Sequence, residues 1–266
     1  MPLSQWGRIL VDEMEAAAVP PGDLWIWPLG GASLAVKSAR SMVYIDPYTG
    51  SPSSGVWIRM VAVPFDPCDV RVADAVLSTH DHDDHCHGET LRPFADNTGA
   101  LFIGPASSAA KMRSFKLPET RIVSACHGDS FRFTDMTVEA VEILDHSDPT
   151  SLGWLVSADG GSVLFDGGDG MYGDYFKKVA ETHRVSAATL STAGLTGDGR
   201  KIYMDARELV TAAEDLGVDL LIPKHWDLWR NVWLDPWEVV VVAQARRAQF
   251  RVHIPRLGEV VRLSLR

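Results

Sequence analysis

The chain has 266 residues, with 25 Lys and Arg against 35 Asp and Glu, nine His and three Cys. A content of 46% hydrophobic and 23% charged residues is that of a globular protein and excludes disorder, collagen and coiled coil. The formal charge of −10 argues against a nucleic-acid or anionic-membrane partner, since both need a basic footprint. It leaves an anionic small substrate open, because a bound cation reverses the local field.

No stretch of linker composition divides the chain, so a single domain over residues 1–266 is expected. The N-terminal segment lacks a basic run followed by an apolar core, and no apolar run reaches the ~18 residues of a membrane span. Cys68, Cys86 and Cys126 cannot all pair with one another. The expectation is a cytoplasmic protein with reduced thiols.

In chain order, residues 5–18 have the apolar spacing of a surface helix, broken by Pro20-Pro21-Gly22. Residues 24–29, 33–37 and 41–46 read as three strands, and the Pro-, Ser- and Gly-rich stretch 47–67 as a long loop. A short β-type run over 73–79 stops at His80-Asp-His-Asp-Asp-His-Cys-His87. Helices are expected from Glu89 and over 107–115, with strands at 101–104 and 138–144. A hairpin follows over 153–157 and 162–166, running into Gly167-Gly-Asp169-Gly. The last third alternates: helix 174–182, strand 187–191, helix 204–216 stopped by Gly217, strand 218–223. Residues 237–246 read as a further helix, although 239–242 also suit a strand. Strands over 249–254 and 259–265 close the chain. Meandering strands followed by alternating strands and helices predict a mixed α/β protein with a two-sheet core.

The chemistry concentrates at residues 80–87, where four His and three Asp fall in eight positions. That density at the end of a strand is poorly explained as a solvated loop. His80 and His82, two apart, are placed to converge on one cation, and Asp84 and His85 to reach a second. Imidazole suits zinc, manganese or iron, and carboxylate widens the choice to harder ions. Two cations ~3.5–4 Å apart would clamp and activate a bridging water. Four residues do not complete such a site, so further ligands are sought where other strands stop. His146, Asp169 and His225 all lie at such ends.

The order His-x-His-x-Asp-His, a lone His, Gly-Asp and a C-terminal His resembles the metallo-β-lactamase-fold hydrolases over nearly the whole chain. The resemblance implies a four-layer αβ/βα sandwich with metals at the edge of two facing sheets. It further implies His80, His82 and His146 on one metal, Asp84, His85 and His225 on the other, and Asp169 between them. Trp27-Pro-Leu-Gly30, Phe102-Ile-Gly-Pro105, Gly168-Asp-Gly-Met-Tyr172 and Ile222-Pro-x-His-x-Asp-x-Trp229 are similar to the ascorbate-6-phosphate lactonase branch. That branch hydrolyses a sugar lactone in the cytoplasm with a divalent metal, commonly manganese, and its members can be oligomeric, so a homo-oligomer is one expectation.

The expected activity is therefore hydrolysis by a metal-activated hydroxide, on a lactone of a small sugar acid or its phosphate, with Asp84 orienting the nucleophile or carrying its proton. A phosphodiesterase of the same fold is the alternative enzyme, and a metal-binding or di-iron redox protein the alternative class. Tyr172, Lys224 and Trp226 are candidate substrate contacts. Trp226, Trp229, Trp233 and Trp237 are spaced to form an aromatic cluster on the closing helix. Cys86 is expected to be packed and His87 solvated, and Asp166 to cap its turn or orient a His. His127, His183 and His253 have no partner pattern and read as structural or exposed.

Overall fold

A computed structural model describes residue 4 and residues 6–51, 57–193, 199–230, 232 and 234–264. Within them, two seven-stranded sheets pack face to face. The first begins with β1 (Leu24–Pro28), β2 (Leu34–Lys37) and β3 (Met42–Ile45), which pair antiparallel. It continues in parallel through β4 (Ala75–Leu77), β5 (Leu101–Gly104) and β6 (Ile122–Ser124). The second sheet starts with the antiparallel run β7 (Ser130–Arg132), β8 (Met136–Glu142), β9 (Leu152–Ala158) and β10 (Val163–Asp166). It continues in parallel through β11 (Ala187–Ser191), β12 (Leu220–Lys224) and β13 (Arg251–Val252). The chain returns at β14 (Val261–Leu263) to pair with β1 on the first sheet.

Helices cover the outer faces. Leu10, Val11 and Met14 of α1 (Ile9–Ala16), Leu91 and Phe94 of α2 (Gly88–Asn97), and Ala109 and Met112 of α3 (Ala106–Ser114) join one face of the first sheet in a buried cluster. Phe176 and Val179 of α4 (Tyr175–Thr182), Leu209 and Ala213 of α5 (Ala206–Leu216), and Val239 and Ala243 of α6 (Trp237–Arg246) do the same on the second. Between the sheets lies a third cluster that includes Leu24, Ile45, Leu77, Trp154, Leu164 and Ile222. Helix, sheet, sheet, helix is the four-layer sandwich expected. The parallel strands read as continuous apolar runs because both faces are covered.

The end signals behave as their chemistry dictates. Asp205 caps α5 by accepting from the N–H groups of Arg207 and Glu208, and Glu208 completes the capping box. Gly217 ends the helix in the left-handed conformation, φ +64°. Two differences stand out. Strands β6 and β7 were not expected, being three-residue segments at one edge of each sheet, where a period-two pattern has no length to show. Residues 239–242, ambiguous by composition, are helical, with only Val239 and Ala243 of α6 fully buried.

Candidate metal centre

The functional side chains leave from the carboxyl ends of strands on both sheets, the place where sandwich and doubly wound α/β folds expose loops around a crevice. Asp46 follows β3, His80 to His85 follow β4, Asp169 follows β10 and His225 follows β12. Two of these, Asp46 (φ +46°) and His225 (φ +64°), are non-glycine residues in the left-handed region. Such conformations cost of order 1–3 kcal/mol and persist where surrounding structure imposes them. At His225 the imposing contact is the turn at Gly31, whose carbonyl accepts the His225 N–H at 3.0 Å. The Gly31 N–H in turn donates to Asp227 Oδ1 at 2.9 Å. Gly31 itself (φ +60°) has no room for a Cβ, which would lie 2.7 Å from Leu228 Cδ2.

The side chains converge as two groups, His80 with His82 and Asp169, and Asp84 with His85 and His225, the ligand atoms of each within 4.8 Å of one another. Asp169 lies between them. Its Oδ2 is 3.8 Å from His80 Nε2 and 3.2 Å from His85 Nε2, and its Oδ1 is 3.7 Å from His225 Nε2. Asp84 Oδ2 is 3.3 Å from His225 Nε2. His80, His85 and His225 are fully buried and Asp169 is 2% exposed, while His82 is exposed.

Electrostatics follows from this crowding. Burial opposes a charge on Asp84 and on Asp169, but the imidazoles of His85 and His225 outweigh it and hold both carboxyls well below the usual range. Burial likewise opposes a charge on His85, but Asp169, Asp46 and Asp84 raise its pKa well above the ordinary value. His80 goes the other way, pushed down by burial and by His85.

Asp46 sets the orientation of His85. Its Oδ2 lies 2.7 Å from His85 Nδ1, and both carboxylate oxygens accept from Thr79, Oδ1 from the backbone N–H at 2.8 Å and Oδ2 from the hydroxyl at 2.7 Å. A carboxylate behind a histidine fixes the tautomer and aims Nε2 at the centre. Tyr203 packs its ring 5.0 Å from that of His225, and burial together with the charge of Asp169 pushes its phenol well above the ordinary value. Neither residue was singled out in the sequence. Asp46 carried a usable signal, since it ends a strand just as Asp169 and His225 do. Tyr203 sits in a connection with no pattern.

The other candidates are placed elsewhere. His146 lies outside both groups, with its side chain 33% exposed and Nδ1 3.7 Å from Asp145 Oδ1. Its neighbour Ser147 brings a hydroxyl within 3.3 Å of His82 Nε2. Lys224, expected at the substrate, is 4% exposed and spends its charge on Asp166, with Nζ 2.8 and 2.7 Å from the two carboxylate oxygens. Asp166 also accepts from Thr189 and from the Gly168 N–H, so it caps the turn and orients no histidine. The Tyr172 hydroxyl donates to Asp215 Oδ2 at 2.6 Å, in the outer helical layer and away from the metal groups. Trp226 is half-buried and lines a narrow cavity with Pro28, Pro255 and Leu257, which His225 also borders.

The aromatic cluster does not gather on the closing helix. Trp237 is 63% exposed at the start of α6, Trp229 instead meets Tyr48 and Trp57, and Trp233 lies outside the described residues. Cys86 is packed as expected, but His87 is half-buried rather than solvated, its ring edge-on to Tyr48 and Nδ1 2.9 Å from the Thr90 hydroxyl. His127, His183 and His253 hold local structural contacts, with the Glu142 N–H, Glu139 and Glu259 respectively.

Residues 42–226 match the beta-lactamase superfamily domain. The chain belongs to that family. A probable L-ascorbate-6-phosphate lactonase of Salmonella heidelberg (strain SL476) is 27% identical over 293 residues, covering 93% of this chain and 82% of that protein. Among solved structures, the isothiocyanate hydrolase from Delia radicum gut bacteria superposes with a TM-score of 0.74 at 18% identity, over 91% of this chain and 100% of that one. A metallo hydrolase from the archaeon Ignicoccus hospitalis KIN4/I gives 0.73 at 18% identity, over 92% and 100%. The fold is that of the metallo-β-lactamase hydrolases, and the fold implies a divalent metal.

The residues present fit one. Six nitrogen and oxygen donors of the type zinc, manganese and iron accept face inward in two groups of three. His80 Nε2 is buried with no hydrogen-bond partner, an atom that costs free energy unless something binds it.

Proposed function

We propose that the chain is a metal-dependent hydrolase of lactones or related esters, acting on a small sugar acid or its phosphate. The observation that carries this reading is the pair of three-ligand groups joined through Asp169, and the lactonase relative over 93% of the chain supports the substrate class. His80, His82 and Asp169 would hold one ion, and Asp84, His85 and His225 the other. Zinc or manganese suits these donors, and iron is compatible. A metal pair bound there supplies Lewis acidity and brings the pKa of water toward ~7.

The chain's own residues do the rest. Asp84 would take the proton of the attacking water as the water oxygen bonds to the carbonyl carbon. When the ring C–O bond breaks, Asp84 returns that proton to the leaving alkoxide. Asp46 holds His85 against rotation. The substrate is a small molecule, and the −10 charge of the chain supports neither nucleic acid nor an anionic membrane as partner. Among the described residues no helix is long and apolar enough to cross a membrane, and the three free cysteines support a reducing compartment such as the cytoplasm. A homo-oligomeric state is checked by size-exclusion chromatography with light scattering. The test of function is a screen of the zinc- and manganese-loaded protein against lactones, carboxylic esters and phosphodiesters. Metal-dependent opening of lactones is expected, and activity confined to phosphodiesters would refute the assignment.

A further inference from the structure

Trp229 ends the Ile222-Pro-x-His-x-Asp-x-Trp run, and the hydrolytic reading leaves it without a role. It is 7% exposed, and its indole Nε1–H donates to Asp84 Oδ2 at 2.8 Å. The same oxygen lies 3.3 Å from His225 Nε2, while Asp84 Oδ1 lies 3.9 Å from His85 Nε2. Asp84 is the one member of its group on a turn that is not fully buried, with 13% of its side chain exposed, so packing alone does not set the rotation of its carboxylate.

Trp229 is itself held from several sides. Its ring centre is 5.9 Å from those of Tyr48 and of Trp57. Its backbone bridges to Arg59 and Val232. On either side, the Met60 N–H donates to the Leu228 carbonyl at 2.8 Å and the Arg230 N–H to the Ile58 carbonyl at 3.1 Å.

We infer that Trp229 is a positioning residue of the metal centre. Its N–H fixes one oxygen of Asp84 and so sets the face that the carboxylate presents to the position shared with His85 and His225. The run 225–229 then acts as one unit: His225 enters the ligand group, Asp227 pins the Gly31 turn whose carbonyl accepts the His225 N–H, and Trp229 orients a ligand contributed by the opposite sheet. This inference rests on the metal-centre reading above.

The experiment is a double-mutant cycle read by zinc affinity, measured by competition with a chromophoric chelator. Trp229→Phe keeps an aromatic ring and removes the donor; it is expected to weaken one zinc site roughly 10–100-fold, the usual cost of losing a partner behind a metal ligand. Asp84→Ala is expected to weaken the same site, and the double variant to match Asp84→Ala alone, because no carboxylate remains to position. Wild-type affinity in Trp229→Phe beside an impaired Asp84→Ala overturns the inference and leaves the centre standing. Equal losses from Trp229→Phe in both backgrounds also overturn it, since Trp229 would then act through packing. Unimpaired zinc binding in Asp84→Ala refutes the reading of the centre instead. Should Trp229→Phe not fold, the metal-free wild type and Asp84→Ala are compared after labelling tryptophan with 15N. One slowly exchanging indole N–H is expected to become fast-exchanging in Asp84→Ala, and an unchanged set of indole signals overturns the inference.

Discussion

Replacing Lys224 by Met strikes the contact that ties the turn carrying Asp169 to the one carrying His225. Lys224 directly precedes His225, and Asp166 precedes Asp169 by three residues. Their side chains are 3% and 0% exposed, with Nζ 2.7 Å from Asp166 Oδ2. Removing one partner of a buried pair leaves a charge without compensation and costs about 3–5 kcal/mol. Here Asp166 keeps two other donors, the Thr189 hydroxyl at 2.6 Å and the Gly168 N–H at 3.0 Å, which places the expected loss near the lower end, about 3 kcal/mol. Against a total stability of about 5–15 kcal/mol that is a large fraction, and it corresponds to a fall in Tm of roughly 6–12 °C. The assay is urea denaturation of the metal-free protein, with Lys224→Met/Asp166→Leu as the partner variant. An apolar pair of similar volume restores most of the loss, because both charges are then gone. Zinc affinity is expected to fall in Lys224→Met and to recover less in the double variant, since Asp166 also caps the turn carrying Asp169. A loss below ~1 kcal/mol in Lys224→Met would show that the pair contributes as little as a surface one, and the argument from burial would fail.

Three further outcomes are expected. Asp84→Asn lowers kcat on whichever lactone is turned over by about 10²–10⁴-fold while part of the metal is retained, measured by steady-state kinetics beside elemental analysis; full activity would exclude Asp84 as the proton carrier. Asp46→Asn weakens metal binding about 10–100-fold by releasing His85 from its orientation, checked by chelator competition. The third concerns pH. A His85 pKa raised by folding stabilises the metal-free protein fully below the unfolded value of ~6.5, and that stabilisation is lost as pH rises through the folded value. Metal must displace the same proton, so affinity rises with pH over that window. Calorimetry at pH 7 in buffers of different ionisation enthalpy should show proton release on metal binding, and none would contradict a protonated His85.

How much of the site was legible follows from how its residues are coded. His80, His82, Asp84 and His85 stand together in the chain, so their density alone marked them. Asp169 and His225 were marked by position, each a potential ligand just past an apolar run. The same rule selected His146, which the fold leaves exposed beside Asp145. It passed over Asp46, because a single acidic residue before Pro47 looks like any turn. The role of Lys224 is hidden in the sequence for a related reason. A lysine next to a ligand looks available to substrate until β10 and β12, on either side of β11, bring Asp166 against it.

The amino-acid sequence by itself determined the layered α/β class, most strand and helix positions, and the type of chemistry, because these depend on local periodicity and on donor atoms close together in the chain. Only the tertiary structure decided which donors meet. Asp84 comes from the first sheet, and Asp169, His225 and Trp229 from segments that follow strands of the second. Asp84 and Trp229 are 145 positions apart, yet form a hydrogen bond of 2.8 Å. Contacts of that separation are set by how two sheets stack across a shared apolar core, which no local pattern records.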